Sequence, residues 1–341
     1  MELRQLGNSD LEISTVILGT WAFGGWLWGG TDKNHPAETI ATSLDAGINC
    51  IDTAPVYGFG LSEELVGKAI KNDRSKFIIA TKCGLVWDER PGITLFFKTK
   101  DNSGKDLDVS RCLSKESILQ ECDESLLRLG IDEIDLYQCH WPDAGTPIDD
   151  TVAALLELKE KGKIREYGIS NFSAAQTEEM IGKGGSPVSN QLKYSYLSRE
   201  HMAEDIPFCQ QHDIGVICYS PLEQGMLTGK ITMDTEFPEG DMRRNRPWFE
   251  TENRKLALQA LDSLEPLVQK YDISLAQLVI AATNHLPGMT GSIVGARNEE
   301  QAKMNAVGGS IAVDPDDMAT IEAVFEEVKL EVPYDPAKAK R

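Results

Sequence analysis

Residues 48–67 read INCIDTAPVYGFGLSEELVG. Asn49-Cys50-Ile51 predicts a buried strand that delivers Asp52 at its end. Tyr57 follows inside a Gly- and Pro-rich turn. Ser62 is expected to cap a helix, with Glu63 and Glu64 in its first turn and apolar residues at helical spacing beyond. An acid and a phenol therefore share one strand-to-helix connection. Downstream, residues 77–81 predict a strand ending in Lys82, and residues 134–139 one ending at His140. Asp, Tyr, Lys and His thus leave the same ends of successive strands.

Outward from this stretch the chain alternates. Residues 3–14 predict a β-hairpin around Gly7-Asn8-Ser9-Asp10. Further strands are expected over 16–18, 164–169, 188–191, 215–219 and 291–294. Helices are expected over 38–46, 62–70, 114–129, 148–161, 174–181, 204–212, 253–271, 274–284, from 298, and over 315–328, several with Gly stops. After the hairpin this makes eight strands, each followed by a helix, which is the count of a (β/α)8 TIM barrel. The expectation is an α/β chain forming one domain over residues 1–341, with an N-terminal β-hairpin, additional C-terminal helices and a frayed tail at 334–341. A doubly wound sheet is the alternative, disfavoured because no Gly-x-Gly-x-x-Gly follows the first strand. Two connections are long, 88–111 and 223–250, and the first is expected to be a structureless lid or disordered loop.

The 341 residues carry a net charge of -20, which argues against nucleic acid or an anionic membrane as partner. Residues 1–5 lack the apolar core of a signal peptide, and no run of about 18 apolar residues exists to span a bilayer. The seven cysteines are scattered, without a Cys-x-x-Cys, and are expected to be reduced, buried and cytoplasmic. The five histidines show no ligand spacing, so no metal is expected and a metal-dependent barrel hydrolase ranks low.

Taken singly, each residue has a plainer reading: Asp52 as a strand-end acid, Lys82 as a solvated lysine, His140 as a core histidine. Together at a barrel mouth they suit proton donation to a carbonyl by Tyr57 while another group delivers hydride. A free tyrosine has a pKa of about 10, too high for an efficient acid at neutral pH. A lysine cation at about 4 Å, at an effective dielectric near 20, would favour the phenolate by up to roughly 4 kcal/mol, about 3 pKa units. Asp52 would orient that lysine and offset part of its effect. His140 would orient the carbonyl or assist the transfer.

Several stretches carry a resemblance that covers nearly the whole chain. They are Ile51-Asp52-Thr53-Ala54 with Tyr57-Gly58 and Ser62-Glu63, Thr81-Lys82, His140-Trp141-Pro142, Gly168-Ile169-Ser170-Asn171-Phe172, Tyr219-Ser220-Pro221-Leu222 with Gly225-Met226-Leu227-Thr228-Gly229-Lys230, and Ile293-Val294-Gly295-Ala296-Arg297. The chain resembles the aldo-keto reductase superfamily, in particular the bacterial branch of inositol-operon and general-stress reductases. The resemblance implies a metal-independent NAD(P)H-dependent reductase of small-molecule carbonyls, or dehydrogenase of alcohols, with cofactor extended across the barrel mouth. It implies Asp52, Tyr57, Lys82 and His140 as the catalytic tetrad, and Thr20 and Trp21 beside the cofactor. Ser170, Asn171 and Gln191 would hold the nicotinamide carboxamide and Tyr219 would stack on its ring. Ser220, Leu222, Gly225 and Lys230 would surround the pyrophosphate, and Gly295, Arg297, Gln301 and Asn305 the adenosine end. The last three are spaced i, i+4, i+8 and are expected on one face at a helix start. The sequence departs from the family's usual Lys-Ser at Gly295-Ala296, and an expected Arg is Gln301; Arg297 is expected to take the 2′-phosphate, so NADP, bound as NADPH in preference to NADH, is the expected cofactor.

Trp28, Trp87 and Trp141 are expected to line the substrate pocket, since pockets favour aromatic walls. Leu95-Phe96-Phe97 and Trp248-Phe249 mark the two long connections as covers over the site, the plainer reading being anchors onto outer helices. Arg243, Arg244 and Arg246 are either a solvated run or part of a cofactor cover. The rival function is a cofactor-sensing binding protein like the channel-associated members of the superfamily, which typically carry Asn where His140 stands. The physiological substrate and the oligomeric state are not written in these motifs.

Overall fold

The computed structural model describes residues 1–28, 30, 35–88, 94–239 and 241–330; the tail at 334–341 and parts of the expected mouth loops lie outside them. Strands β1 (Leu3–Gln5) and β2 (Glu12–Ser14) pair antiparallel. There follow β3 (Val16–Gly19), β4 (Cys50–Asp52), β5 (Ile78–Cys83), β6 (Leu85–Val86), β7 (Thr94–Lys100), β8 (Asp106–Arg111), β9 (Ile134–Cys139), β10 (Ile164–Ser170), β11 (Ser189–Lys193), β12 (Gly215–Tyr219) and β13 (Met289–Gly295). Eight of them close into a parallel barrel in the order β3-β4-β5-β9-β10-β11-β12-β13 and back to β3. Helices α1 (Pro36–Asp45), α2 (Leu61–Ile70), α3 (Lys115–Leu129), α4 (Ile148–Glu160), α5 (Ala174–Gly182), α6 (Asp205–Gln211), α7 (Thr251–Ser263), α8 (Glu265–Tyr271), α9 (Leu275–Asn284), α10 (Glu299–Gly308) and α11 (Pro315–Glu326) complete the chain. This is the (β/α)8 barrel with its hairpin and extra C-terminal helices.

The hairpin plugs one end of the barrel. Leu6, Leu11 and Ile13 are fully buried against Ile17, Cys50, Ala80, Leu136, Val188, Ile217 and Ile293 of the barrel interior. Gly7, at φ +53°, makes this seat possible, because a Cβ there would sit 2.1 Å from the Val188 carbonyl oxygen. With that end closed by apolar packing, polar side chains collect at the other. The register carries them there: Gly19 pairs with Asp52, Lys82 with Gln138, Ser170 with Gln191, and Lys193 with Tyr219. The short strands are buried on both faces, as a barrel wall covered by helices requires.

Three expectations change. The 88–111 connection contains β7 and β8, an antiparallel hairpin whose sheet is completed by β6. Its charged positions pair across the strands, Lys100 with Asp106 and Lys98 with Asp108, so the charges that suggest a loop are cross-strand partners. Ser62 is not the cap of α2. The helix begins at Leu61 behind Gly60, whose φ of +99° turns the chain, and Ser62 lies buried in the first turn. The helix expected over 253–271 is two, α7 and α8, divided at Leu264 before Pro266.

Candidate active site

Four strand ends and one turn build the mouth. Lys82 is fully buried, and its Nζ donates to Asp52 Oδ1 at 2.7 Å, to the Thr53 carbonyl at 2.9 Å and to the Tyr57 hydroxyl oxygen at 3.2 Å. The other Asp52 oxygen accepts from Gln191 Nε2 at 2.8 Å. Both carboxylate oxygens are thus occupied and the lysine is fixed from three sides. Because Lys82 donates to the phenol oxygen, the phenol's own proton is left for another acceptor. The His140 ring meets the Tyr57 ring edge-on, with centroids 5.9 Å apart. Asp52, Tyr57, Lys82 and His140, which the sequence separates widely, are brought together.

The electrostatics differ from the sequence expectation at one point. Burial, and then the Asp52 carboxylate, push the Tyr57 phenol well above its ordinary pKa rather than below it. Asp52, 2.7 Å from the Lys82 ammonium, offsets its charge, and the half-buried phenol has little water to stabilise its anion. Burial lowers the Lys82 pKa while Asp52 opposes it. Burial, aided by the Lys82 charge, holds His140 well below its usual value, so its imidazole is neutral and offers one N–H donor.

The turn that carries Tyr57 is held by a hydroxyl cluster. Ser62 Oγ donates to the Thr20 carbonyl at 3.0 Å and contacts Thr20 Oγ1 at 2.9 Å and Thr53 Oγ1 at 3.0 Å. Thr20 Oγ1 in turn donates to the Asp52 carbonyl at 2.9 Å. Thr20 therefore fastens the Asp52 strand end. Backbone meets backbone at Gly24 and Gly58, where a Cβ on either would lie 2.4 Å from a carbonyl oxygen of the other segment. Trp21 stacks on Tyr57 at 5.9 Å and meets Trp28 edge-on at 5.6 Å. Trp141 packs on Phe96 at 5.2 Å, with the Arg111 guanidinium over both rings. Trp87 packs on Phe59 and lines a cavity of about 120 Å³ shared with Glu121, Glu124 and Arg128 of α3. Trp28 and Trp141 thus border the aromatic cover, while Trp87 belongs to its flank.

The residues expected to hold a cofactor occupy the rest of the rim. Asn171, at φ +63°, donates to the His140 carbonyl and to Ser170 Oγ, both at 3.0 Å, and accepts from Tyr219 OH at 2.9 Å. Ser170 Oγ donates to the Gln191 carbonyl. Ser220 (φ +60°) and Gly225 (φ +101°) lie in one left-handed turn, with Leu222 supplying the carbonyl that closes it; Lys230 is exposed just beyond. Arg297 precedes α10 instead of lying on its face: Asn298 is the cap, and the Arg297 N–H donates to Gln301 Oε1 at 2.9 Å. Asn305 Nδ2 reaches the Gly295 carbonyl at 3.1 Å. Gly295 itself is exposed, with only the Gly19 carbonyl near its absent Cβ, at 4.0 Å. An open floor at Gly295, a left-handed nest at 220–225 and amide groups beside Tyr219 suit an extended dinucleotide. The sequence reading gave Thr53 no role of its own. Thr53 meets Lys82 only through its backbone oxygen, and Trp26 and Phe97, stacked at 5.8 Å, come together only when the hairpin closes on the Trp loop.

Residues 15–326 match the aldo/keto reductase family model. The chain belongs to the aldo/keto reductase family. It is 39% identical to the NADH-specific methylglyoxal reductase of Escherichia coli K12, over 95% of this chain and 98% of that protein. It is 31% identical to a putative voltage-gated potassium channel subunit beta of Schizosaccharomyces pombe, over 97% and 95%. Among solved structures it resembles the glycerol dehydrogenase AKR11B4 of Gluconobacter oxydans, with TM-score 0.85, 34% identity and 98% of each chain covered. As an aldo/keto reductase, the chain is a nicotinamide-dependent oxidoreductase acting on carbonyl or alcohol groups of small molecules.

Proposed function

We propose that this aldo/keto reductase reduces small aldehydes or ketones reversibly, with Tyr57 as proton donor. One observation carries the reading: fully buried Lys82 spans Asp52 at 2.7 Å and the Tyr57 oxygen at 3.2 Å at the barrel mouth. A nicotinamide dinucleotide bound across that mouth supplies the hydride. Ser170, Asn171, Gln191 and Tyr219 would hold its nicotinamide end, the 220–225 turn its phosphates, and Gly295, Arg297, Gln301 and Asn305 its adenosine end. Tyr57, held protonated by burial, gives its proton to the carbonyl oxygen as negative charge develops there. Lys82 stabilises the phenolate left behind, and Asp52 with Gln191 keeps Lys82 aimed. Neutral His140 donates a hydrogen bond that orients the carbonyl. The seven buried thiols suit a reducing cytoplasm, where we place the protein.

We further propose that Arg297 tilts binding toward NADPH, by a small factor. It is half-buried, and Glu299 and Glu300 in the first turn of α10 oppose a 2′-phosphate. One partly exposed charge pair contributes about 1 kcal/mol at most, about fivefold in Kd. The Escherichia coli relative's name favours a second reading, NADH as the working cofactor. The Schizosaccharomyces pombe relative's name favours a third, a cofactor sensor without turnover. Following absorbance of NADPH and of NADH in the presence of a small aldehyde separates the three. Turnover with either dinucleotide supports the reductase; binding without turnover of any aldehyde overturns it.

A further inference from the structure

The turn at 220–225 is held in an unfavourable backbone shape. Ser220, Glu223 and Gln224 have φ of +60°, +43° and +57°, a region that residues bearing a Cβ avoid. Such a run persists only where its surroundings over-determine it. Here the anchor is Glu223, whose side chain is fully buried. One of its oxygens lies 3.0 Å from Lys193 Nζ, and the other accepts from Ser195 Oγ at 2.5 Å. Lys193 ends β11 two residues after Gln191, on the same face of the strand, and pairs in register with Tyr219, the residue that enters the turn. Its ammonium also donates to Ser198 Oγ at 3.1 Å and lies 3.9 Å from the ring centre of Trp248, itself buried. The pair is therefore shielded from most of the solvent by the second long connection, with Glu223 fully buried and the Lys193 side chain 15% exposed. Apolar side chains of like volume would fill this space without desolvation; a charged pair with fixed acceptors selects one geometry.

We propose that Lys193 and Glu223 are positioning residues for the cofactor: their buried ion pair holds residues 220–225 in the phosphate-binding shape before a dinucleotide arrives. The proposal rests on the reading of that turn as the phosphate site. Preorganisation of this kind acts on affinity, because a binding shape populated only in part weakens binding in proportion to that population. Trp248 takes part as the cover over the Lys193 ammonium, which gives the Trp248-Phe249 pair a task beyond anchoring its own loop.

The test compares the wild-type protein with Glu223→Gln, Lys193→Met and the double variant Lys193→Met/Glu223→Gln. The double variant leaves no unpaired buried charge and carries the test if a single variant does not fold. Two readouts are needed: dissociation constants for NADPH and NADH from fluorescence titration, and amide hydrogen exchange of residues 220–228 in dinucleotide-free protein. We expect both dissociation constants to rise by about tenfold or more, exchange in 220–228 to quicken, and the dinucleotide KM to rise more than the aldehyde KM. Folded variants whose dissociation constants stay within about twofold of wild type overturn the proposal. So does weakened binding with unchanged exchange, since the turn would then be equally ordered without the pair. A wild-type protein that binds neither dinucleotide overturns the cofactor reading itself, a result distinct from wild type and variants binding alike.

Discussion

At the residue scale, the site is a set of commitments made by individual polar atoms. Lys82 has its three donors directed at Asp52, Thr53 and Tyr57, so the phenol oxygen accepts and its proton is available. Tyr57→Phe keeps the ring against Trp21 and removes only the hydroxyl. Aldehyde reduction is expected to fall by about a hundredfold or more, with dinucleotide Kd nearly unchanged; a variant retaining more than half its rate would remove Tyr57 from the mechanism. His140 carries a prediction in pH. Its folded pKa is depressed, so below the unfolded value of about 6.5 the unfolded chain binds a proton that the folded chain refuses. Its contribution to stability is therefore full above that pH and declines as the pH falls, by at most about 1.4 kcal/mol per unit. Denaturant midpoints measured from pH 7 down to pH 5 should fall less steeply in His140→Gln than in wild type. Equal slopes would mean that the imidazole titrates normally.

At the element scale, the β7–β8 hairpin explains the apolar patch that the sequence placed in a charged stretch. Phe97 stacks on Trp26 at 5.8 Å, Trp26 Nε1 donates to Thr99 Oγ1 at 3.0 Å, and Asn102 Nδ2 donates to the Gly24 carbonyl at 2.9 Å. The patch thus anchors onto the Trp loop at the mouth, and not onto the outer helices. Each aromatic pair adds about 0.5–1.5 kcal/mol beyond the area it buries. Phe97→Ala should undock the hairpin while the barrel, which does not depend on it, keeps its melting temperature. Hydrogen exchange across 94–111 should quicken and the aldehyde KM should rise. If the barrel melts with the hairpin, the two are one cooperative unit and the cover cannot open alone.

At the scale of the whole molecule, the barrel brings Arg297 and Lys82 to one rim from distant parts of the sequence. Arg297 is the test of cofactor choice. Arg297→Ala should weaken NADPH by up to about fivefold and leave NADH unchanged; equal weakening of both would remove the guanidinium from the 2′-phosphate. Because any such contribution would be electrostatic and partly exposed, the proposed tilt toward NADPH should also shrink as salt is raised. The chain's net charge of -20 makes the approach of any anionic dinucleotide depend on such local cations.

The sequence by itself determined the barrel and which strand-end side chains reach its rim. Strand and helix periods are local properties, and a residue that ends a buried strand must arrive at the rim, so Asp52, Lys82 and His140 were legible from where their apolar runs stop. Tertiary structure alone decided what those residues do to one another. The pKa of Tyr57 rises because its packed surroundings desolvate the phenol and, second, because the Asp52 carboxylate lies near it, facts of tertiary placement that no spacing encodes. Ser62 looked like a cap because its neighbours suit a helix start, but the turn at Gly60 handed it to Thr20 and Thr53 instead. The hairpin at 94–111 was hidden because its alternate residues are charged, and charges read as solvated until their partners across the strand are known. Lys193 and Glu223, 30 residues apart and unremarkable in sequence, meet only because β11 and β12 are neighbours in the closed barrel.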